Sequence, residues 1–172
     1  MARYQDTIRR HSEEVNRLHA AVHETVKYRD KSQSHREEWL KAAALFRNHH
    51  SSIDNWMQEI EGSEICDWQN AREFVFQYLT VDPVYFRSGY AKEMLVKKLK
   101  KCVLTNEESQ ILRTLIVNRI QSGGQREFKK FCQLIPKIQN KAFNEEVIIL
   151  ANAKDSNVAS RGKVALRYLI KD

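Results

Sequence analysis

A chain of 172 residues with 42% apolar and 30% charged side chains has the length of one domain, or of one domain with a helical extension, and enough apolar content to bury a core. Five Gly and two Pro are too few for a β-sandwich or barrel, which turns every ten residues or so, and no Gly-rich phosphate loop is present. The net charge of +7 is unevenly placed: residues 1–84 hold 11 Lys/Arg against 14 Asp/Glu, whereas residues 85–141 hold 13 against 4.

Residues 3–61 contain neither Gly nor Pro. Apolar side chains recur there at heptad spacing, Ile8, Val15, Val22 and Met57 on one set, Leu18, Trp39, Phe46 and Ile53 on the other. That pattern lays a narrow apolar seam along a helix, the kind that holds a partner helix. The stretch 29–36 is polar. Either the chain turns near 31–34, with Ser34 as N-cap and Glu37 completing a capping box, or one helix runs through and needs a partner for its seam. The hairpin is the expected form, because a helix of that length is rare in so small a chain.

After Gly62 the pattern becomes denser. The stretch 65–79 reads as a buried helix. Asp82-Pro83 reads as the N-cap and first residue of a helix running to about 101, bent at Ser88-Gly89. Thr105 and Glu108 form a capping box opening a helix over 106–121, which Gly123-Gly124 ends. A short helix over 125–135 is stopped by Pro136, and two more follow over 144–153 and 158–170. The predicted fold is all-α, about eight helices: a hairpin or coiled coil over 1–61, packed on or extending from a compact helical domain over 64–172. The tail around Asp155 to Leu169 resembles the second half of a HEAT-type repeat over about fifteen residues, with no repeat period upstream; that likeness implies no function.

The basic excess is concentrated in two clusters. Lys92, Lys97, Lys98, Lys100 and Lys101 share one predicted helix. Arg126, Lys129 and Lys130 crowd the start of another, where the helix dipole disfavours cations and favours an anion. Lysines on an amphipathic helix are often a solvated face, but this many in one third of the chain point to a polyanion, nucleic acid first. Tyr85, Phe86 and Tyr90 are either core or stacking surfaces for bases. A helix-turn-helix over 106–135 is conceivable.

His11 and His50 fall on the seam, in neighbouring layers of the hairpin. They are weak candidates for a metal pair with Glu14 or Asp54, or for a polar break that fixes register. His19 and His23 share a helix face. Cys66, Cys102 and Cys132 form no Cys-x-x-Cys pair and read as buried small hydrophobes in a reducing compartment, the cytosol or a nucleus. No nucleophile–base arrangement, cofactor motif, secretory signal or membrane span is legible. The expectation is therefore a non-catalytic binding protein without cofactor. Its ligand is a polyanion at segment 85–141; the alternative is a scaffold whose N-terminal seam docks a helical protein or a second copy, with no membrane partner.

Overall fold

The computed structural model describes residues 3–123 and 127–169. Among them are ten helices and no strand: α1 (Gln5–Val26), α2 (Gln33–Asn48), α3 (Ser52–Gly62), α4 (Gln69–Val81), α5 (Ser88–Leu99), α6 (Asn106–Ser122), α7 (Phe128–Cys132), α8 (Ile135–Ile138), α9 (Lys141–Ala151) and α10 (Ser156–Leu166). The fold is all-α, and the N-terminal stretch is not one long helix: α1 and α2 form a hairpin, but the second arm expected to run to 61 breaks after Asn48, and Ser51 caps a separate helix, α3.

The hairpin turn lies over 27–32. Its cap is Ser32, whose hydroxyl accepts from His35 N, two residues before the expected Ser34. α1 and α2 then run antiparallel, with His19 against Phe46 and His11 against His49. The seam folds onto the chain itself. Ile8, Val15, Leu18 and Ile53 are buried, and Val22, Trp39, Phe46 and Met57 are half-buried. The buried four are therefore not available to a partner: α1 lies against α3 and α4 as well as α2.

α4 forms the centre. Phe74, Val75, Tyr78 and Leu79 are enclosed, each such side chain contributing about 1.5–3 kcal/mol by its burial. Tyr4 N donates to Gln77 Oε1 at 2.8 Å, which ties the start of α1 to this helix. α4 ends at Asp82, which is left-handed at φ +50°. Asp82 is thus a C-cap and not an N-cap, and Pro83 lies in the loop before α5, whose first residue is Ser88. The helix expected over 82–101 is shortened accordingly.

From α3 onward the helices stack in two rows: α3 against α5 and α5 against α7, α4 against α6 and α6 against α9. The rows are laced by the same device used twice. Lys98 Nζ donates to the carbonyls of Glu61 and Ser63, 37 and 35 residues upstream. Lys137 Nζ donates to those of Lys100 and Cys102, again 37 and 35 residues upstream. Lys98 thereby satisfies carbonyl groups at the end of α3 and Lys137 those at the end of α5, where a cation also complements the dipole. Beside them Cys66 and Cys102 are joined by a disulfide, with Cα atoms 4.9 Å apart. The expectation of three unpaired cysteines is corrected for these two, because the stacking brings the segments following α3 and α5 together. Cys132 is a buried free thiol.

α6 opens on the expected capping box, Thr105 Oγ1 accepting from Glu108 N and Glu108 Oε2 from Thr105 N. It ends at Gly123, φ +133°, a conformation side-chain-bearing residues avoid. Of the helix expected over 125–135, whose first two residues lie outside the described ones, the structure shows the single turn α7; Pro136 lies in the first turn of α8 rather than stopping a helix, a position where its missing N–H is harmless. α10 lies so close to α9 that a Cβ on Gly162 would sit 2.5 Å from Ala151 N.

Candidate functional site

The eight cations proposed for a polyanion divide sharply. Lys92 is wholly buried, its ammonium 2.6 Å from Asp82 Oδ1 and 3.4 Å from Glu127 Oε1. Arg119 joins this cluster, donating to Asp82 at 2.8 Å while its guanidinium lies 3.9 Å from the Phe131 ring centroid. Two cations and two carboxylates thus clamp the loop after α4 to α5, α6 and the start of α7. Lys92 is corrected: it holds the fold and meets no external anion. Lys98 is committed to the carbonyls after α3, and Lys101 reaches Glu64 at 3.3 Å.

Lys97, Lys100, Lys129 and Lys130 are exposed and make no ion pair with a described residue. Arg126 lies outside the described residues. The argument for an anion at the second cluster's helix start is also corrected. α7 has five residues, too short to carry a useful dipole, and its N-cap is itself a carboxylate residue, Glu127. That length also leaves α7 too short to serve as the second, recognition helix of a helix-turn-helix over 106–135.

Of the aromatic residues, Tyr85 belongs to the core, its hydroxyl 2.7 Å from that of Tyr78. Burial pushes both phenols well above their ordinary value, so they act as hydrogen-bonding groups only. Phe86 and Tyr90 are about half exposed. Phe86 packs against His19 and Phe46; Tyr90 lies seven residues before Lys97, two turns along the same face of α5.

A second constellation stands where α1, the end of α2 and the start of α3 meet. One ring nitrogen each of His11 and His49, and one carboxylate oxygen of Asp54, all lie within 4.8 Å of one another. His50, the residue expected beside His11, instead faces solvent with Nε2 2.6 Å from Asn55 Oδ1. The reason is local: α2 ends at Asn48, so His49 is its extended C-cap, φ −61° and ψ 128°, and turns inward one residue early. Ser51 caps α3 in a capping box with Asp54, whose Oδ2 accepts from Ser51 N at 2.8 Å and lies 3.0 Å from Ser51 Oγ. The same hydroxyl lies 2.8 Å from His11 Nδ1. Tyr85 closes the inner side, edge-on to the His11 ring at 4.9 Å. An open groove of about 710 Å³, lined by Glu14, Arg17, Leu18, Leu45, His49 and His50 among others, leads in from outside.

His19 and His23, one turn apart on α1, have their Nε2 atoms 3.2 Å apart; His19 is half-buried against Phe46 and Phe86, and His23 is exposed. Burial pushes the Cys132 thiol up to about 12, which leaves it protonated and unreactive near neutrality. No helix among the described residues is long and apolar enough to cross a membrane. Comparison with protein-family models, with curated proteins and with solved structures finds no match for this chain.

Proposed function

We propose that the protein is a binding module for a polyanion, nucleic acid first, and that Lys97, Lys100, Lys129 and Lys130 make the contacts. The observation that carries this reading is the packing of α5 against α7, which sets the two exposed lysine pairs on neighbouring helices. Among the described residues no carboxylate of the acidic first half pairs with these four; Glu64 reaches Lys101 instead. Tyr90, on the Lys97 face, offers a ring for stacking on an unpaired base. Such a ligand implies a cytosolic or nuclear site, against which the Cys66–Cys102 bond weighs, because disulfides persist mainly in oxidising compartments.

The test is binding of a labelled 20-base-pair duplex and of a labelled single strand by fluorescence anisotropy. Reversing Lys97, Lys100, Lys129 and Lys130 to Glu should abolish binding while the melting temperature is kept. Retained affinity in that variant would refute the assignment.

A second reading is favoured by α2, which buries only Ala42 and leaves Leu45 exposed by 64%. In it the chain is a scaffold, and this face of α2 docks on a second copy. The dimer would survive high salt and be dissolved by Leu45→Glu, as read by light scattering; a monomeric mass for the unaltered chain refutes it.

A further inference from the structure

We propose that His11, His49 and Asp54 bind one divalent transition metal ion of the zinc type, with its fourth position open to the groove between α1 and α2. The donors come from three helices and converge on one point. Two imidazoles and one carboxylate suit zinc and its neighbours in the first transition row, and do not suit calcium or magnesium, which take oxygen donors alone. Three protein ligands leave a place for water, the pattern of sites that do chemistry rather than merely hold a fold.

The hydrogen-bond inventory supports the assignment. Ser51 Oγ has one hydrogen. It already accepts from Ile53 N at 3.1 Å and faces Asp54 Oδ2, a carboxylate oxygen that accepts. The hydroxyl therefore donates to Asp54, and His11 Nδ1–H donates to the hydroxyl. That leaves a lone pair on the other nitrogen of neutral His11, the arrangement by which an outer partner fixes the tautomer of a ligating histidine. His49 supplies the second clue. Its Nε2 is shielded from solvent and has no hydrogen-bond partner among the described residues, an arrangement that is costly if nothing fills it. A bound cation fills it.

Metal coordination needs neutral rings and a charged carboxylate. The donor atoms, up to 4.8 Å apart, would draw in toward the separation of about 3.4 Å that tetrahedral zinc requires. Asp54 keeps its capping role while doing so, since a carboxylate has acceptor capacity beyond the two bonds from Ser51.

The experiment uses the full chain, stripped with chelator and titrated with cobalt(II) and with zinc. The background is His19→Ala/His23→Ala, which removes that pair as a competing site. The expected result is one cobalt per chain with the absorption bands of a tetrahedral ion, displaced by zinc, and a melting temperature that rises with zinc. His49→Gln and Asp54→Asn, the latter keeping a capping acceptor, should each weaken binding by about 100-fold or more; His50→Ala should leave it unchanged. Circular dichroism checks that each variant is folded. No stoichiometric cobalt, or binding that survives both His49→Gln and Asp54→Asn, overturns the assignment.

Discussion

A lysine in this protein is defined by what its ammonium touches, not by the helix that carries it. Lys92 and Lys97 are five residues apart on α5, yet one is enclosed between Asp82 and Glu127 and the other points to solvent. Removing one partner of a buried ionic cluster costs about 3–5 kcal/mol, because the remaining charges are stranded, while exposed substitutions stay within about 0.5 kcal/mol. Urea unfolding should therefore show Lys92→Ala strongly destabilised and Lys97→Ala indistinguishable from the parent; equal stabilities would remove Lys92 from the fold. A pH signature belongs to Glu108. Burial pushes its carboxyl up, but the bonds from Arg72 and the amide of Thr105 more than compensate and hold it below the ordinary value of 4.5. The stabilisation from this charge is complete above that value and is lost as pH falls through the lower folded value. The stability difference between the parent and Glu108→Gln should thus be present at pH 7 and shrink toward pH 3. A difference that does not change with pH would contradict the pairing.

At the scale of elements, two close contacts carry consequences. Gly162 meets the backbone of Leu150 and Ala151, not a flexible side chain, so Gly162→Ala cannot be absorbed by a rotamer change. It should cost at least about 1–3 kcal/mol, despite alanine's better helix propensity; thermal unfolding that shows stabilisation would contradict the close packing of α9 and α10. The other contact is the Cys66–Cys102 bond, 36 residues apart in sequence. Closing such a loop in the unfolded chain is worth about 3–4 kcal/mol. Reductant should lower the melting temperature by several degrees, and Cys66→Ser should remove that sensitivity; no response to reductant would contradict the bond. Elements with local signals were legible beforehand. The Thr105–Glu108 box and Gly123 bound α6 where expected, and the heptad spacing over 3–61 marked helical residues but not the break between α2 and α3. What failed were boundaries set by tertiary contact. Asp82-Pro83 carries the residues of a helix start, but the Lys92 and Arg119 side chains hold Asp82 at the end of α4 instead.

For the whole molecule, the sequence is a poor guide to which side chains meet. Stacking at a separation of 35–37 residues joins Lys98 and Lys137 to backbone carbonyls, and a carbonyl leaves no mark on composition. The net charge of residues 85–141 was therefore visible, but not that much of it closes helix ends. The histidine cluster was half legible: His11 and Asp54 were in view, and His49 was missed because the end of α2 falls one residue before it. The four exposed lysines of α5 and α7 are what remains of the charge signal, and the proposed function rests on them. Four phosphate contacts predict a slope of about −3.6 for the logarithm of the duplex association constant against the logarithm of salt concentration, a loss of about 100-fold between 50 and 200 mM. The most direct measurement is that slope, for the parent chain and for the variant with all four lysines reversed. A steep slope in the parent with no measurable binding by the variant is the predicted result; a parent affinity that salt leaves unchanged, or no affinity at all, contradicts it.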